Sequence, residues 1–505
     1  MNAMKTVLCL LLWICSSRFL FATDPVRPNV LFIIADDASM HFGEAYHCRW
    51  VRTPNIDRLA KQGLVFDNVY TPTSKCAPCR AAILTGRYPW QLEEAANHQP
   101  YFPAKYMTFT ETLARHNIAC GGSGKRWGPG EAKTADGSPR DFGMPTIRPK
   151  PSKESKKQGQ PNPPVEPGES FSQFLKNRQP DAPFFYWFGS TNPHRPYVRD
   201  SGIAAGKKTS DIDRVPAYWP DNETVRRDML DYAIEVEEYD REVGSLLAAL
   251  EESGQAKNTL VIVTSDHGMP FPRVKGHTFD DANHIPFVAC WPDGIMRPDR
   301  RVADFISFVD LAPTILELLK VDGQADEMSS ISGHSFTDLL RDKPETQRPF
   351  VILGRERNDV LTRPGSPHGL GYPVRAIRQG NFLYVHNFEA DRWPCGNPDL
   401  GLKDTDDSPT KSLIEEVGDS SPFWQHAFGK RPDEQLFDLT ADPDCVTNLA
   451  ADSKYSEKIA ALNEMLTAEL KLQHDPRIMG NGDIFDQYLS PRAIPNSATP
   501  SRKKE

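Results

Sequence analysis

The chain has 505 residues, 25% of them Asp, Glu, Lys or Arg, and a formal net charge of -9. That length allows one large core with at least one appended unit. The acidic balance provides no global basic field, so nucleic acid is not an expected partner and an anionic substrate needs cations placed locally.

The N-terminus, MNAMKTVLCLLLWICSSRFLFATDP, carries Lys5, an apolar run from Val7 to Cys15 and then small residues. This is the layout of a secretory signal, taken as residues 1–22, with the mature chain beginning between Ser17 and Thr23. A retained lipid-side anchor is the alternative. No later stretch reads as a transmembrane helix, so the protein is expected in an exported space: periplasmic, extracellular or lysosome-like. Of nine cysteines, Cys9 and Cys15 leave with the signal, and the remaining seven are an odd number that leaves at least one thiol unpaired or otherwise used.

NVLFIIA (29–35) is a continuous apolar run, as expected of a strand buried on both faces of a parallel sheet, and it ends in Asp36-Asp37. SKCAPCRAAILTGRYP (74–89) follows, with Cys76 and Cys79 spaced as in zinc sites and redox pairs. No second cysteine or histidine pair at zinc spacing accompanies them. Residues 148–168, rich in Pro, Lys and Gly, read as an exposed excursion. PFFYWFG (183–189) predicts a strand leading to Asn192-Pro193-His194, and residues 228–252 predict an amphipathic helix before Gly254. TLVIVT (259–264) predicts a third buried strand, ending in Ser265-Asp266-His267-Gly268. Shorter strands at 374–377 and 382–386 and a helix near 458–472 follow a domain boundary placed near residue 345. Strand, helix and strand with a long crossover imply an α/β sheet, in which ligands sit beyond the carboxyl ends of the strands.

Adjacent carboxylates such as Asp36 and Asp37 repel each other, and burying them needs a cation or hydrogen bonds. With Asp266 they make a hard oxygen donor set suited to Ca²⁺ or Mg²⁺. Solvated aspartates capping loops are the plain alternative for each one taken alone.

Cys76-Ala77-Pro78-Cys79-Arg80 followed by Leu84-Thr85-Gly86-Arg87 resembles the signature of the type I sulfatases. PNVLFIIADD (28–37), TPNIDRLAKQGLVFDNVYT (53–71), Gly124-Lys125, Pro193-His194, Asp266-His267-Gly268 and LFDLTADPDCVTNLA (436–450) recur in the family's order. The resemblance implies an alkaline-phosphatase-like fold. A large, mostly parallel sheet flanked by helices occupies 23–345, and a smaller α+β domain with an antiparallel sheet, 346–505, completes the pocket. It further implies that a maturation enzyme oxidises Cys76 to formylglycine, whose hydrated gem-diol attacks sulfur with one hydroxyl and releases sulfate through the other. By family position Asp36, Asp37, Asp266 and His267 hold the metal together with residue 76, and Arg80, Lys125 and Lys275 meet the sulfate charge. His194 contacts the leaving group as a proton donor.

Three positions depart from the pattern: Cys79 replaces the usual Ser, His267 an Asn and Trp127 a His. Within the family, GKRWGPGE (124–131), NPHRPY (192–197), SDHGMPFPR (265–273), YPVRAIRQGNFLYVHNF (372–388) and HDPRIMG (474–480) resemble the heparan N-sulfatases. A sulfated oligosaccharide or polysaccharide is the implied substrate, and Arg355, Arg357, His368 and Arg375 are expected to line its sugar subsite. Rival readings are an O-sulfatase, a phosphonate or phosphate ester hydrolase of the same superfamily, and a non-catalytic glycan-binding homologue.

Overall fold

A computed structural model describes residues 27–147, 165–323, 328–343 and 348–492. The expected signal segment, residues 148–164 of the expected excursion and the boundary near residue 345 lie outside them.

Thirteen strands are described: β1 (Asn29–Ala35), β2 (Leu64–Tyr70), β3 (Tyr101–Phe102), β4 (Ala119–Gly124), β5 (Glu131–Ala132), β6 (Phe184–Gly189), β7 (Thr259–Ser265), β8 (Phe287–Cys290), β9 (Arg300–Ser307), β10 (Phe350–Arg355), β11 (Val374–Gln379), β12 (Phe382–Asn387) and β13 (Glu434–Asp438). Seven of them form the main sheet in the order β4-β6-β1-β7-β8-β2-β9. Only β8 runs against its neighbours β7 and β2. The other pairings, β1 with β6 and β7, β4 with β6 and β2 with β9, are parallel.

The continuous apolar run of β1 is buried along its whole length because both faces of the sheet are covered. Leu31, Ile33 and Ala35 pack into one apolar layer with Tyr232, Val236, Tyr239 and Leu246 of the long helix Glu223–Glu252. Val30, Phe32 and Ile34 pack into the opposite layer with Ile83 and Leu84 of helix Cys76–Thr85. The long helix starts five residues earlier than its apolar spacing predicts, because Asn222 caps it by accepting from the Val225 N–H at 3.1 Å. Its chain reverses at exposed Gly254, where φ is +72°. Leu246 is fully buried, and Leu246→Ala would cost about 2–5 kcal/mol through lost transfer and cavity terms.

The second sheet, β10-β11-β12-β13, is antiparallel throughout. Ile352, Ile377 and Tyr384 on one of its faces share a cluster with Tyr88 and Trp90, and with Leu462 and Leu466 of helix Ser456–Leu472. Val351, Leu353 and Val385 on the other face pack with Tyr70 and Phe279 of the larger part.

The register fixes the site. Ala35 pairs with Ser265 and Ile34 with Gly189, while Gly124 pairs with Gly189. Parallel strands in this register release Asp36, Lys125, Ser190 and Asp266 along one edge. At that edge the backbones crowd together: a Cβ on Gly189 would lie 1.7 Å from the Lys125 carbonyl oxygen, and Gly124 turns with φ +67°. Glycine at both places lets the Lys125 N–H reach the Gly189 carbonyl at 2.7 Å.

Candidate active site

Helix Cys76–Thr85 is buried at every residue and closes at Gly86, φ +66°, whose N–H bonds back to the Ala82 carbonyl. Cys76 opens it, so its side chain sits at the positive end of the helix dipole, where negative charge is favoured. The residue is 2% exposed. Its Sγ lies 3.4 Å from His267 Nε2 and 3.9 Å from Asp37 Oδ1. Burial and the Asp36 carboxylate push the thiol up, but Lys125, Lys275 and His267 together outweigh them and hold it well below the ordinary thiol range.

Cys79 is also buried, and its Sγ contacts the Asp266 carbonyl oxygen at 3.0 Å. The seven described cysteines are all free thiols, so the described residues contain no disulfide and no joined Cys76–Cys79 redox pair.

Asp37 turns back on itself at φ +76°, which lets its N–H donate to Asp266 Oδ1 at 3.0 Å. A non-glycine residue held in the left-handed region is a local cost commonly met at functional sites. Three carboxylates, Asp36, Asp37 and Asp266, thus converge in a region closed to solvent. Lys125 Nζ donates to both Asp36 oxygens at 2.7 Å. Lys275 Nζ lies 2.6 Å from Asp37 Oδ2 and 3.0 Å from Asp406. Arg80 Nε donates to Asp266 at 3.0 Å, while its Nη atoms reach Asp36 Oδ1 at 3.4 Å and the Ala35 and Lys125 carbonyls.

Arg80 therefore differs from Lys125. It is wholly buried and clamps two carboxylates from behind, whereas Lys125 keeps 18% of its side-chain surface open. Burial pushes the Asp36 carboxyl up despite the pull of Lys125 and Arg80.

The donor set fits a divalent cation. Two overlapping groups, Asp37-Cys76-His267 and Asp36-Cys76-Asp266, each bring their ligand atoms within 4.8 Å of one another. His267 Nδ1 is engaged by the Gly268 carbonyl at 3.1 Å, which fixes the tautomer and points the Nε2 lone pair at Asp37 and Asp266, 3.3 and 3.6 Å away. Without an ion these carboxylates push the imidazole up to about 9 against the opposing effect of burial. In charge terms, Asp36, Asp37 and Asp266 face Arg80, Lys125 and Lys275, with Asp406 sharing Lys275, so the net negative balance suits entry of a dication with a singly charged sulfate ester or sulfamate.

His194, on the loop after β6, lies at the mouth with 37% of its side chain exposed. Its Nδ1 contacts the Arg195 carbonyl, leaving Nε2 on the side of Asp37, 3.9 Å from Oδ2. Trp127 turns its indole N–H to the Ala77 carbonyl at 3.0 Å and packs on Phe102 and Phe142. It ties the Lys125 loop to the start of the Cys76 helix.

The expected sugar subsite is only partly brought together. Arg375 is fully enclosed: Asp475, Glu356 and the Val374 and Arg355 carbonyls take up its donors. Arg355 is 4% exposed and holds the Gly276 and Pro394 carbonyls beside Asp404. Both side chains are closed to solvent: internal acceptors take every N–H of Arg375, while the Arg355 Nη groups are held by Gly276, Pro394 and Asp404. Arg357 is 1% exposed, bonded to the Tyr488 carbonyl. Only His368 of the four is partly open.

Sequence reasoning missed the residues at the wall of the site. Asp359 binds Lys75 at 2.9 Å, His98 at 3.0 Å and Gln99 at 3.0 Å. Asp406 stands by Lys275 with 28% exposure, its carboxyl kept below the usual range by Lys275 and Lys75 although burial opposes this. The one available signal was Lys75 itself, a charged residue directly before a wholly buried helix.

The sulfatase family model matches residues 28–321. An ulvan-active sulfatase of Formosa agariphila is 26% identical over 92% of this chain and 78% of its own. The N-sulphoglucosamine sulphohydrolase of Homo sapiens is 25% identical over 95% of this chain and 97% of its own. The solved phosphonate monoester hydrolase of Agrobacterium radiobacter shares the fold, with a TM-score of 0.63 and 19% identity over 89% of this chain and 97% of that one. With the signature cysteine set among metal-type donors and cations at the edge of a mostly parallel sheet, this chain belongs to the sulfatase family of sulfate ester and sulfamate hydrolases.

Proposed function

We propose that the chain removes sulfate from a sulfated sugar, and specifically the N-sulfate of glucosamine. The observation that carries the reaction class is the enclosed Cys76 Sγ, within 3.9 Å of Asp37 and 3.4 Å of His267, with Lys125 and Lys275 bound to the same carboxylates. The near full-length correspondence with N-sulphoglucosamine sulphohydrolase supports the N-sulfate. The likeness to an ulvan-active sulfatase supports an O-sulfate on another polysaccharide as the second reading.

Oxidation of Cys76 to formylglycine by a maturation enzyme supplies the covalent nucleophile. Asp36, Asp37, Asp266 and His267 would hold Ca²⁺ or Mg²⁺, which supplies Lewis-acid polarisation when bound. Lys125 and Lys275 orient the sulfuryl oxygens and offset charge developing on them. Arg80 keeps Asp36 and Asp266 in place. His194 Nε2, at the open side, gives a proton to the departing amine. Burial of residue 76 keeps bulk water from competing with the positioned nucleophile.

The test begins with peptide mass spectrometry across residues 70–87 to verify the aldehyde. Rates are then compared on glucosamine N-sulfate, glucosamine 6-O-sulfate and an ulvan oligosaccharide. A kcat/KM about 10²-fold higher on the N-sulfate is expected, since a site built around one leaving group rejects its analogues by such factors. Preference for either O-sulfate overturns the N-sulfate assignment, and faster turnover of an aryl phosphate than of any sulfate overturns the reaction class.

A further inference from the structure

Cys76, His267 and Asp37 come from three separate segments, and the fold sets their donor atoms at the corners of a triangle. Its edges are 3.4 Å from Sγ to Nε2, 3.3 Å from Nε2 to Asp37 Oδ1 and 3.9 Å from Sγ to Oδ1. A tetrahedral zinc ion, with bonds of about 2.3 Å to sulfur and about 2.0 Å to nitrogen and oxygen, sets edges of roughly 3.3–3.5 Å between its ligands. Two edges already have that length, and the third needs Sγ and Oδ1 to close by a few tenths of an ångström. The orientations also fit. His267 Nδ1 is engaged by Gly268, so Nε2 is the free lone pair, and Lys275 occupies Asp37 Oδ2, so Oδ1 faces inward. Asp266 belongs with Asp36 and Cys76 in the second group of donors, so the fourth position on the ion falls to water.

We propose that the chain carrying the unmodified Cys76 thiol binds Zn²⁺ through Cys76 Sγ, His267 Nε2 and Asp37 Oδ1, with water in the fourth position. The chemical state of residue 76 thereby selects the metal. In this step Zn–S, Zn–N and Zn–O bonds form as waters leave the ion, the protons held by Cys76 and His267 pass to solvent, and no electron is transferred. Thiolate and imidazole favour a borderline ion over Ca²⁺, which takes six to eight oxygens; loss of the sulfur returns the site to mainly oxygen donors. The CxxC spacing is not the zinc motif, because Cys79 Sγ faces the Asp266 carbonyl. The inference shares the site of the proposed function. It is tested on metal content rather than turnover, so its failure leaves the sulfatase reading standing.

The full chain is produced without maturation enzyme, the thiol at residue 76 is verified by mass spectrometry, and the protein is loaded with Zn²⁺ or Co²⁺, desalted and assayed by elemental analysis. One zinc per chain is expected, with a sulfur-to-cobalt charge-transfer band in the Co²⁺ form. Cys76→Ser should lose that band and weaken zinc binding at least about tenfold, and His267→Asn should weaken it similarly. Cys79→Ser should retain both, with circular dichroism reporting the native fold for each variant. Equal zinc binding by Cys76→Ser, no zinc on the folded chain, loss of zinc in Cys79→Ser alone, or displacement of zinc by equimolar Ca²⁺ would each overturn the proposal.

Discussion

The protein buries two ionic clusters, one at the edge of each sheet, and they are built to opposite ends. Beside the antiparallel sheet, Arg375 and Arg477 meet Glu356 and Asp475, and every N–H of Arg375 has an acceptor. At the edge of the large sheet, Lys125 and Lys275 each grip a carboxylate, and two overlapping groups of metal-type donors that share Cys76 converge beside them. Complete internal pairing marks the structural cluster, and the convergence of thiol, imidazole and carboxylate donors marks the chemical one. Replacing a fully paired partner should damage folding, whereas replacing a group of the converging set should damage turnover first.

Four experiments sharpen or break that contrast. Cys76→Ala should cut kcat by about 10⁴-fold or more while leaving the melting temperature near that of the parent; retained turnover on sulfated substrate would dismiss Cys76 as the nucleophile. Arg375→Met should instead cost about 3–5 kcal/mol in denaturant unfolding, because Asp475 and Glu356 lose a buried partner, with kcat/KM per folded molecule unchanged. A raised KM at unchanged stability would restore Arg375 to the sugar subsite. Lys125→Met should lower kcat by about 10²–10³-fold, read by steady-state kinetics on the same substrate.

The smallest effect is one of pH. In metal-free protein the His267 imidazole is pushed up to about 9 from its ordinary 6.5. A group raised on folding stabilises fully below its unfolded value and loses that contribution as pH rises through the folded one. The urea midpoint of the metal-free chain should therefore fall between pH 6.5 and 9 relative to His267→Asn. Divalent metal affinity should rise over the same window, since binding must release the proton. A parallel pH profile in the two proteins would show that His267 does not titrate there.

The large sheet was legible because its strands are long apolar runs with no alternation, as burial on two faces requires, and because each ends in polar residues. Asp36, Asp37 and Asp266 were legible at those endings, whereas His267 as a donor entered only through the family resemblance. The pairing of Arg375 was not legible for a reason of range: its partner Asp475 lies 100 residues away, and nothing local distinguishes a cation that faces a ligand from one that faces a distant carboxylate. Asp359 and Asp406 escaped notice because they come from loops with no periodic pattern, brought to Lys75 and Lys275 by tertiary packing. The reach of Trp127 to Ala77 likewise depends on two loops meeting, so the sequence marked only that an expected histidine was absent.

The parallel strands send their reactive groups to one edge and their turns to the other. The reversal at Gly254, exposed and with open space around its α-carbon, belongs to that second edge, immediately before β7. It is thus an attachment point remote from the chemistry: a fluorophore, affinity tag or carbohydrate-binding module spliced there would be carried by the scaffold without entering the path of the substrate.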